Sequence, residues 1–473
     1  MQSKKFSRRD FLRLSALSAA GAALAGCCPA PEPTIKEVQV TVETVKTEKE
    51  EVVVTKEVQI GTEAVEVRWF IGLGTGSQPE QIEPEEQFVD FFNAQQNEIV
   101  LVPEIVDNTV AFDTLKTEIA SGDAPDLVGP VGVRGTNEFK GIFLDLTDHL
   151  GIYDMSDFSE GAIKGWTTPD DGLIGLSIGV YPSAIFINKD LFDEAGLDYP
   201  PTSYDDDWTV DDMTDLALQL TVDASGNDAT SAAFDPENIV QFGYVHQWTD
   251  PRGWGTFFGS GNFVADDGKT AECPDNWRAA FKWVYDGMWV NYSQPNGPYL
   301  NSDLLSGNAF GSGNVAMAHC HTWYTCCVPT EAAWDFATCP SYNGVATAKL
   351  HTDTITVMGS TDVPEAAVKA LYDIATSPQL VNLWGAVPAI KSMQGGYIAK
   401  MAAANPSVDN WDTVMAGLDH VDVPNHEAFM PNFAQADDRV KAFQSELEGT
   451  GDVDVDAAVD TLVSDLQAIF DAA

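Results

Sequence analysis

Four of the seven cysteines, Cys320, Cys326, Cys327 and Cys339, crowd into one stretch beside His319 and His321. Thiolate and imidazole are soft metal ligands, but zinc sites usually pair their ligands two to four residues apart on tight turns. On one extended segment His319 and His321 are expected to point to opposite faces, so no metal site is expected. Cys273, Cys320, Cys326, Cys327 and Cys339 read instead as disulfide candidates, with their pairing open. No H-E-x-x-H, G-x-S-x-G or P-loop is present, so no catalytic residue and no cofactor is expected. Gly72-Leu73-Gly74-Thr75-Gly76 lacks the rest of a dinucleotide fingerprint and reads as a loop. Aromatic rings offer different chemistry, since an indole on a loop stacks on the apolar face of a small molecule while nearby polar groups supply directional hydrogen bonds. Trp248 and Trp254 flank the turn-rich Thr249-Asp250-Pro251-Arg252-Gly253 and are candidates for that role. Thr75 and Arg134, on loops expected after the first and third strands, are further ligand-binding candidates. Only five arginines follow residue 64, too few for a multi-arginine clamp on phosphate or carboxylate, so a neutral ligand fits best.

The elements that must position these residues belong to a chain of 473 residues with a net charge of −47. Such acidity excludes nucleic acid as a partner, because that binding needs a basic patch that releases phosphate counterions. With 44% hydrophobic residues the chain buries a large core, and its length calls for two lobes. Residues 65–473 hold 63 acidic against 16 basic side chains. They therefore carry the whole net charge, which fits a solvated surface adapted to salty or acidic surroundings.

The N-terminal segment reads as an address. Ser7-Arg8-Arg9-Asp10-Phe11-Leu12-Arg13 precedes an apolar run too short to span a bilayer and resembles a twin-arginine export signal. Leu24-Ala25-Gly26-Cys27 resembles a lipobox, which makes residues 1–26 a signal peptide and Cys27 the lipidated mature terminus. Residues 27–64 are proline-punctuated and rich in Lys, Glu, Val and Thr, and are expected to be a charged, extended tether.

Beyond residue 64 the pattern alternates. Residues 65–70, 99–105 and 127–128 read as strands, and residues 85–93, 111–121, 211–220, 275–288, 364–376, 437–447 and 455–472 as helices. This predicts an α/β fold on a parallel sheet with helices on both faces. Trp69, Trp208, Trp277, Trp283 and Trp334 lie on strand- or helix-like apolar patterns and are expected in the core. Asp190 is expected to cap the helix that follows it, with Gly196 as its stop.

Four blocks in order resemble the bacterial extracellular solute-binding proteins, family 1, the sugar-binding group that includes maltodextrin-binding proteins. They are Ser121-Gly122-Asp123-Ala124-Pro125-Asp126-Leu127-Val128; Phe186-Ile187-Asn188-Lys189-Asp190-Leu191-Phe192 with Pro200-Pro201 and Trp208-Thr209-Val210-Asp211-Asp212; Gly313-Asn314-Val315-Ala316-Met317 with Trp323; and Val363-Pro364-Glu365-Ala366-Ala367 with Pro388-Ala389-Ile390-Lys391-Ser392. Ile187 stands where the group usually has Tyr, and the cysteine cluster is a departure. The resemblance implies a type II two-lobed periplasmic-binding-protein fold with a central cleft and hinge. Lobe 1 would take residues 65–177 plus 345–385, and lobe 2 residues 178–344 plus 386–473. It implies that Trp323 and Tyr181 line the cleft. It further implies a monomeric, non-enzymatic lipoprotein on the outer face of the cytoplasmic membrane, capturing a sugar for an ABC permease. A quaternary ammonium receptor and a carboxylate-pair glycosidase are the alternative readings.

Overall fold

A computed structural model describes residues 35–42, 52–59 and 64–473, save 160, 161, 164, 165, 169, 170, 330 and 385. The export signal, its lipobox and Cys27 lie outside the described residues. Within the expected tether, Ile35–Val42 pairs antiparallel with Val52–Gln59, Ile35 opposite Gln59.

The body opens with β1 (Val65–Ile71), α1 (Pro79–Gln95), β2 (Ile99–Ile105), α2 (Asn108–Ser121) and β3 (Leu127–Gly132). Proline at N1 lets α1 start a turn and a half before the apolar stripe that marks it in sequence. The Asp107 carboxylate accepts from the Thr109 N–H to cap α2, and Gly122 in the left-handed region ends it. β1 pairs parallel with β2 and with β3.

From here the topology departs from the expected all-parallel sheet. β4 (Gly175–Asn188) is fourteen residues long and buried along all but its last residue, as a strand covered on both faces must be. α3 (Lys189–Ala195) follows directly; its cap is Asn188, whose side-chain oxygen accepts from the Asp190 and Leu191 N–H groups, and not Asp190 as expected. Next come α4 (Val210–Leu220), β5 (Ile239–His246), α5 (Pro251–Thr256), α6 (Asp275–Trp289), β6 (Val315–His321), β7 (Trp334–Ala337) and β8 (Leu350–Val357). α7 (Pro364–Ala375), α8 (Phe433–Gly449) and α9 (Val455–Phe470) complete the labelled elements.

The strand order is β2-β1-β3-β8-β4-β6-β5, with the short strand Val222–Asp223 beyond β5. β8 runs antiparallel to both β3 and β4, so the sheet is mixed. The first part of β4, from Gly175 to Pro182, pairs with β8; the remainder, from Ser183 to Asn188, pairs with β6 and β7. One strand therefore belongs to both halves of the sheet. Trp69, Trp277 and Trp334 are buried, as expected of core residues, Trp208 nearly so, and Trp283 is half-buried against the same clusters.

His319 and His321 share a face of β6, correcting the expectation that they point opposite ways, since side chains two apart on a strand lie on the same side. Among the described residues no group of three or more His, Cys, Asp or Glu is arranged to hold a metal ion. The five described cysteines are thiols. Cys320 is buried in β6, Cys339 lies against Ser183 and Cys273 against the Pro274 carbonyl. A disulfide framework through those three is therefore corrected. Among the described residues no helix is long and apolar enough to cross a membrane.

Candidate ligand cleft

Strand alternation sorts the side chains at the crossing strands onto two sides. Tyr181 of β4 with His351 and Asp353 of β8 face a cleft of about 1260 Å³. Val180, Leu350 and Thr352 face a second cavity of about 880 Å³ on the reverse side. Gly132 of β3 makes the approach possible: a Cβ there would stand 2.5 Å from the His351 ring.

Five of the six residues singled out as ligand-binding candidates, Thr75, Arg134, Tyr181, Trp248 and Trp323, line the larger cleft. Trp248 and Trp323 come from different loops, yet their rings lie parallel, with centroids 6.2 Å apart and an interplanar angle of 6°. Tyr324 meets Trp248 edge-on at 5.3 Å, and the Trp248 indole N–H donates to the Gly307 carbonyl at 3.1 Å. Trp248 is nonetheless 49% exposed and sits at φ +46°, a left-handed conformation that costs a bulky residue about 1 kcal/mol or more. The fold thus holds a large indole at the cleft at some cost. Trp254 is placed otherwise. The Asp250 carboxylate accepts from the Arg252 and Gly253 N–H groups and starts α5. That turn buries Trp254 among Phe263, Trp277 and the C-terminal helices, which corrects the expectation that it lines the cleft.

The loop of Thr75 is pinned from α1. The Gln81 side chain accepts from the Gly76 N–H at 2.7 Å and donates to the Thr75 hydroxyl at 2.7 Å. Gly76 takes φ +106°, which a side chain would resist. Tyr181, nearly buried, donates its hydroxyl to the Trp384 carbonyl. Burial first, and Asp353 second, push its phenol well above the ordinary range, so it faces the cleft neutral, with its proton given to Trp384 and its oxygen left to accept.

Every charged side chain lining this cleft is already matched. His351 donates from Nδ1 to Glu427 at 2.8 Å and from Nε2 to Asp353 at 3.2 Å. Burial alone would lower its pKa, but the two carboxylates raise it well above the usual imidazole range. Burial would raise Glu427, yet the His351 imidazolium and its hydrogen bond bring it down to about 2. Arg252, fully buried, donates to Asp250 at 2.9 Å and to Asp437 at 3.2 Å. Burial opposes ionisation of Asp250, but the Arg252 charge holds it well below the usual carboxylate range. Arg134, in the short helix Val133–Asn137 that follows β3 and not on a loop as expected, reaches Asp437 on α8. Lys441 binds Asp437 at 2.9 Å and Lys116 binds Glu138 at 3.3 Å. The Arg134 contact, with Asn137 donating to the Glu427 carbonyl at 2.7 Å, ties one side of the cleft to the other.

His351, Asp353, Glu427, Asp437 and Trp384 were not singled out in sequence. For the first two a signal exists: His351 and Asp353 stand two apart on one face of a strand whose other residues are Thr and aliphatic. The other three carry no local signature, because long-range packing brings them in.

A profile described as bacterial extracellular solute-binding protein matches residues 87–436. A binding protein of Brucella abortus is 30% identical over 118 residues, 24% of this chain, and the chain spans about 28% of the length of that curated relative. Among solved structures, UspC of M. tuberculosis is similar with a TM-score of 0.66 at 22% identity, over 86% of this chain and 100% of that one. The cyclic α-maltosyl-1,6-maltose binding protein of Arthrobacter globiformis is similar with a TM-score of 0.65 at 17% identity, over 87% and 100%. Maltose-bound MalE3 of T. maritima gives 0.60 at 17% identity, over 86% and 100%. At these identities the structural likeness speaks for the fold, two α/β lobes about a cleft.

Proposed function

The chain belongs to the bacterial extracellular solute-binding protein family, and from that premise we propose that it captures a neutral saccharide between its lobes and delivers it to an ABC permease. The observation that carries this reading is the parallel Trp248–Trp323 pair on a cleft whose charged side chains are all ion-paired. Aromatic faces bind the C–H surface of a sugar ring, and neutral donors and acceptors such as Tyr181 and Thr75 orient its hydroxyls. A cleft of about 1260 Å³ exceeds the range of roughly 300–1,000 Å³ usual for small-molecule sites, which favours an oligosaccharide. Structural neighbours are described as bound to maltose and to cycloalternan, which supports the same class.

Charge argues against the other readings. All five arginines beyond residue 64 are engaged by carboxylates, Arg68 by Glu104, Arg278 by Asp460 and Arg439 by Asp465 in addition to the cleft pair, so an anionic ligand finds no free clamp. A quaternary ammonium would meet the same tryptophans but no unpaired carboxylate. A glycosidase would need one carboxylate free to protonate a leaving group, whereas each carboxylate of the cleft is engaged by a cationic partner, and Asp250 and Glu427 are held below the usual carboxylate range. In this reading residues 65–177 with 345–385 form one lobe and residues 178–344 with 386–473 the other. Closure turns about β4 and β8, and a lipid on Cys27 keeps the receptor at the outer face of the cytoplasmic membrane.

Thermal melts in the presence of neutral mono- and oligosaccharides, a uronic acid and choline test the ligand class. Binding to the folded state alone raises Tm by mass action, about 2.7 kcal/mol at a hundredfold excess over Kd. A shift with a neutral saccharide only is expected; a shift with choline or the uronate alone would refute the reading.

A further inference from the structure

We propose that Cys326 and Cys327 form a covalent modification site on the cleft wall, where a low-molecular-weight disulfide oxidises the adjacent thiols into a single eight-membered ring. Their sulfur atoms face each other at 2.7 Å, in contact but not bonded, so an incoming oxidant on one sulfur is within direct reach of the other. Both residues end the 3-10 turn Thr322–Cys327 that carries Trp323. Cys326 is exposed and lines the cleft beside Trp323 and Thr325, while Cys327 is half-buried. The turn is fixed from outside. Asn308 donates to the Cys327 carbonyl at 3.0 Å, and the Tyr324 hydroxyl accepts from the Gly311 N–H at 3.1 Å. Because the two cysteines are neighbours in the chain, joining them pulls on no other element, and the adjustment the eight-membered ring requires, from about 3.8 Å between adjacent Cα atoms toward the usual disulfide span, falls on the turn itself.

The reaction balances as two thiol–disulfide exchanges. The Cys326 thiol, open to solvent, loses its proton and attacks one sulfur of the oxidant RSSR, expelling RS⁻. The Cys327 thiolate then attacks Sγ of Cys326 and expels the second RS⁻. Two cysteine thiols are oxidised and one RSSR is reduced to two RSH. Burial first, and then Cys327, push the Cys326 thiol up to about 12, so the first exchange accelerates as pH rises. The product replaces two thiol donors by a compact apolar ring and locks the turn that presents Trp323.

The test uses the purified full chain and oxidised glutathione, without any ligand, so that its failure is separable from failure of the saccharide reading. After incubation, unfolding and alkylation, the peptide holding both cysteines is expected to be lighter by two hydrogens and to take up no alkylating agent. Cys320 and Cys339 should remain alkylatable. Cys327→Ser should stop at a glutathione adduct on Cys326, and tryptophan emission should change on oxidation of the native chain and return with dithiothreitol. Two alkylated thiols, or a persistent glutathione adduct in the native chain, would overturn the site. Unchanged tryptophan emission would overturn its link to Trp323.

Discussion

His351 works as a fixed cation between Glu427 and Asp353, whereas His246, His319 and His321 are buried and kept neutral. Burial pushes all three of those imidazoles well below their ordinary range, with Lys349 adding to the effect. The two groups respond to pH with opposite sign. A neutral buried histidine binds no proton in the folded chain, but its unfolded counterpart does below about 6.5, so each of the three loses stability as pH falls beneath that value. His351 has a raised folded pKa. Its contribution is complete below about 6.5 and is lost as pH rises through the folded value. Glu427, lowered to about 2, contributes above the unfolded pKa and loses that contribution as pH falls toward 2. Glu85 and Glu118, which burial raises to about 8, gain stability over the same interval, so the histidine loss is read by difference: the urea midpoint of His319→Gln should fall less between pH 7 and pH 5 than that of the parent chain. A midpoint difference between the two proteins that stays constant over that interval would contradict the neutral assignment. At this scale the sequence was informative where chemistry is local. The turn around Thr249-Asp250-Pro251 marked Trp248, and the Gly-rich segment marked Thr75. Trp254 misled because one capped helical turn reverses the direction of a ring only six residues from Trp248.

Elements explain why the cleft residues meet. β4 is long enough to pair with β8 in one half and with β6 and β7 in the other, and the period of two along β4 and β8 assigns Tyr181, His351 and Asp353 to the cleft. Helix stops were readable in sequence because such caps are local: Gly122 after α2 and Gly196 after α3 stand where a left-handed residue is needed, whereas the start of α3 falls on Asn188 and not Asp190. The antiparallel course of β8 was not readable, since strand direction is decided by a partner distant in sequence. Asn188 offers a test of which residues are scaffold. Its side chain caps α3, and among the described residues it does not line either cavity. Asn188→Ala should cost about 1 kcal/mol of stability, seen as a lower Tm, and leave the affinity for an identified ligand unchanged. A loss of affinity at unaltered stability would make the block a binding segment.

Across the whole molecule the excess of acid over base lies on the folded body, while the cleft is internally neutralised. Self-repulsion of that surface opposes the compact state, and salt relieves it as the Debye length drops from about 10 Å at 0.1 M to about 3 Å at 1 M. Tm should therefore rise with NaCl over that range; a flat or falling profile would remove repulsion as a determinant of stability. The cleft should respond less, because its ion pairs are shielded and the proposed ligand is uncharged. Arg134 reaching Asp437 and Asn137 reaching the Glu427 carbonyl join the two sides of the cleft, so these contacts support a state with the lobes drawn together, which a bound ligand would favour further. The central claim, a neutral saccharide held against Trp248 and Trp323, is tested most directly by calorimetric titration of the full chain and of Trp323→Ala with the saccharide that stabilises it. The account predicts a saturable one-to-one isotherm, recovery of the saccharide intact, and affinity about tenfold weaker in the variant. Equal affinity in the two proteins, or consumption of the saccharide, would contradict it.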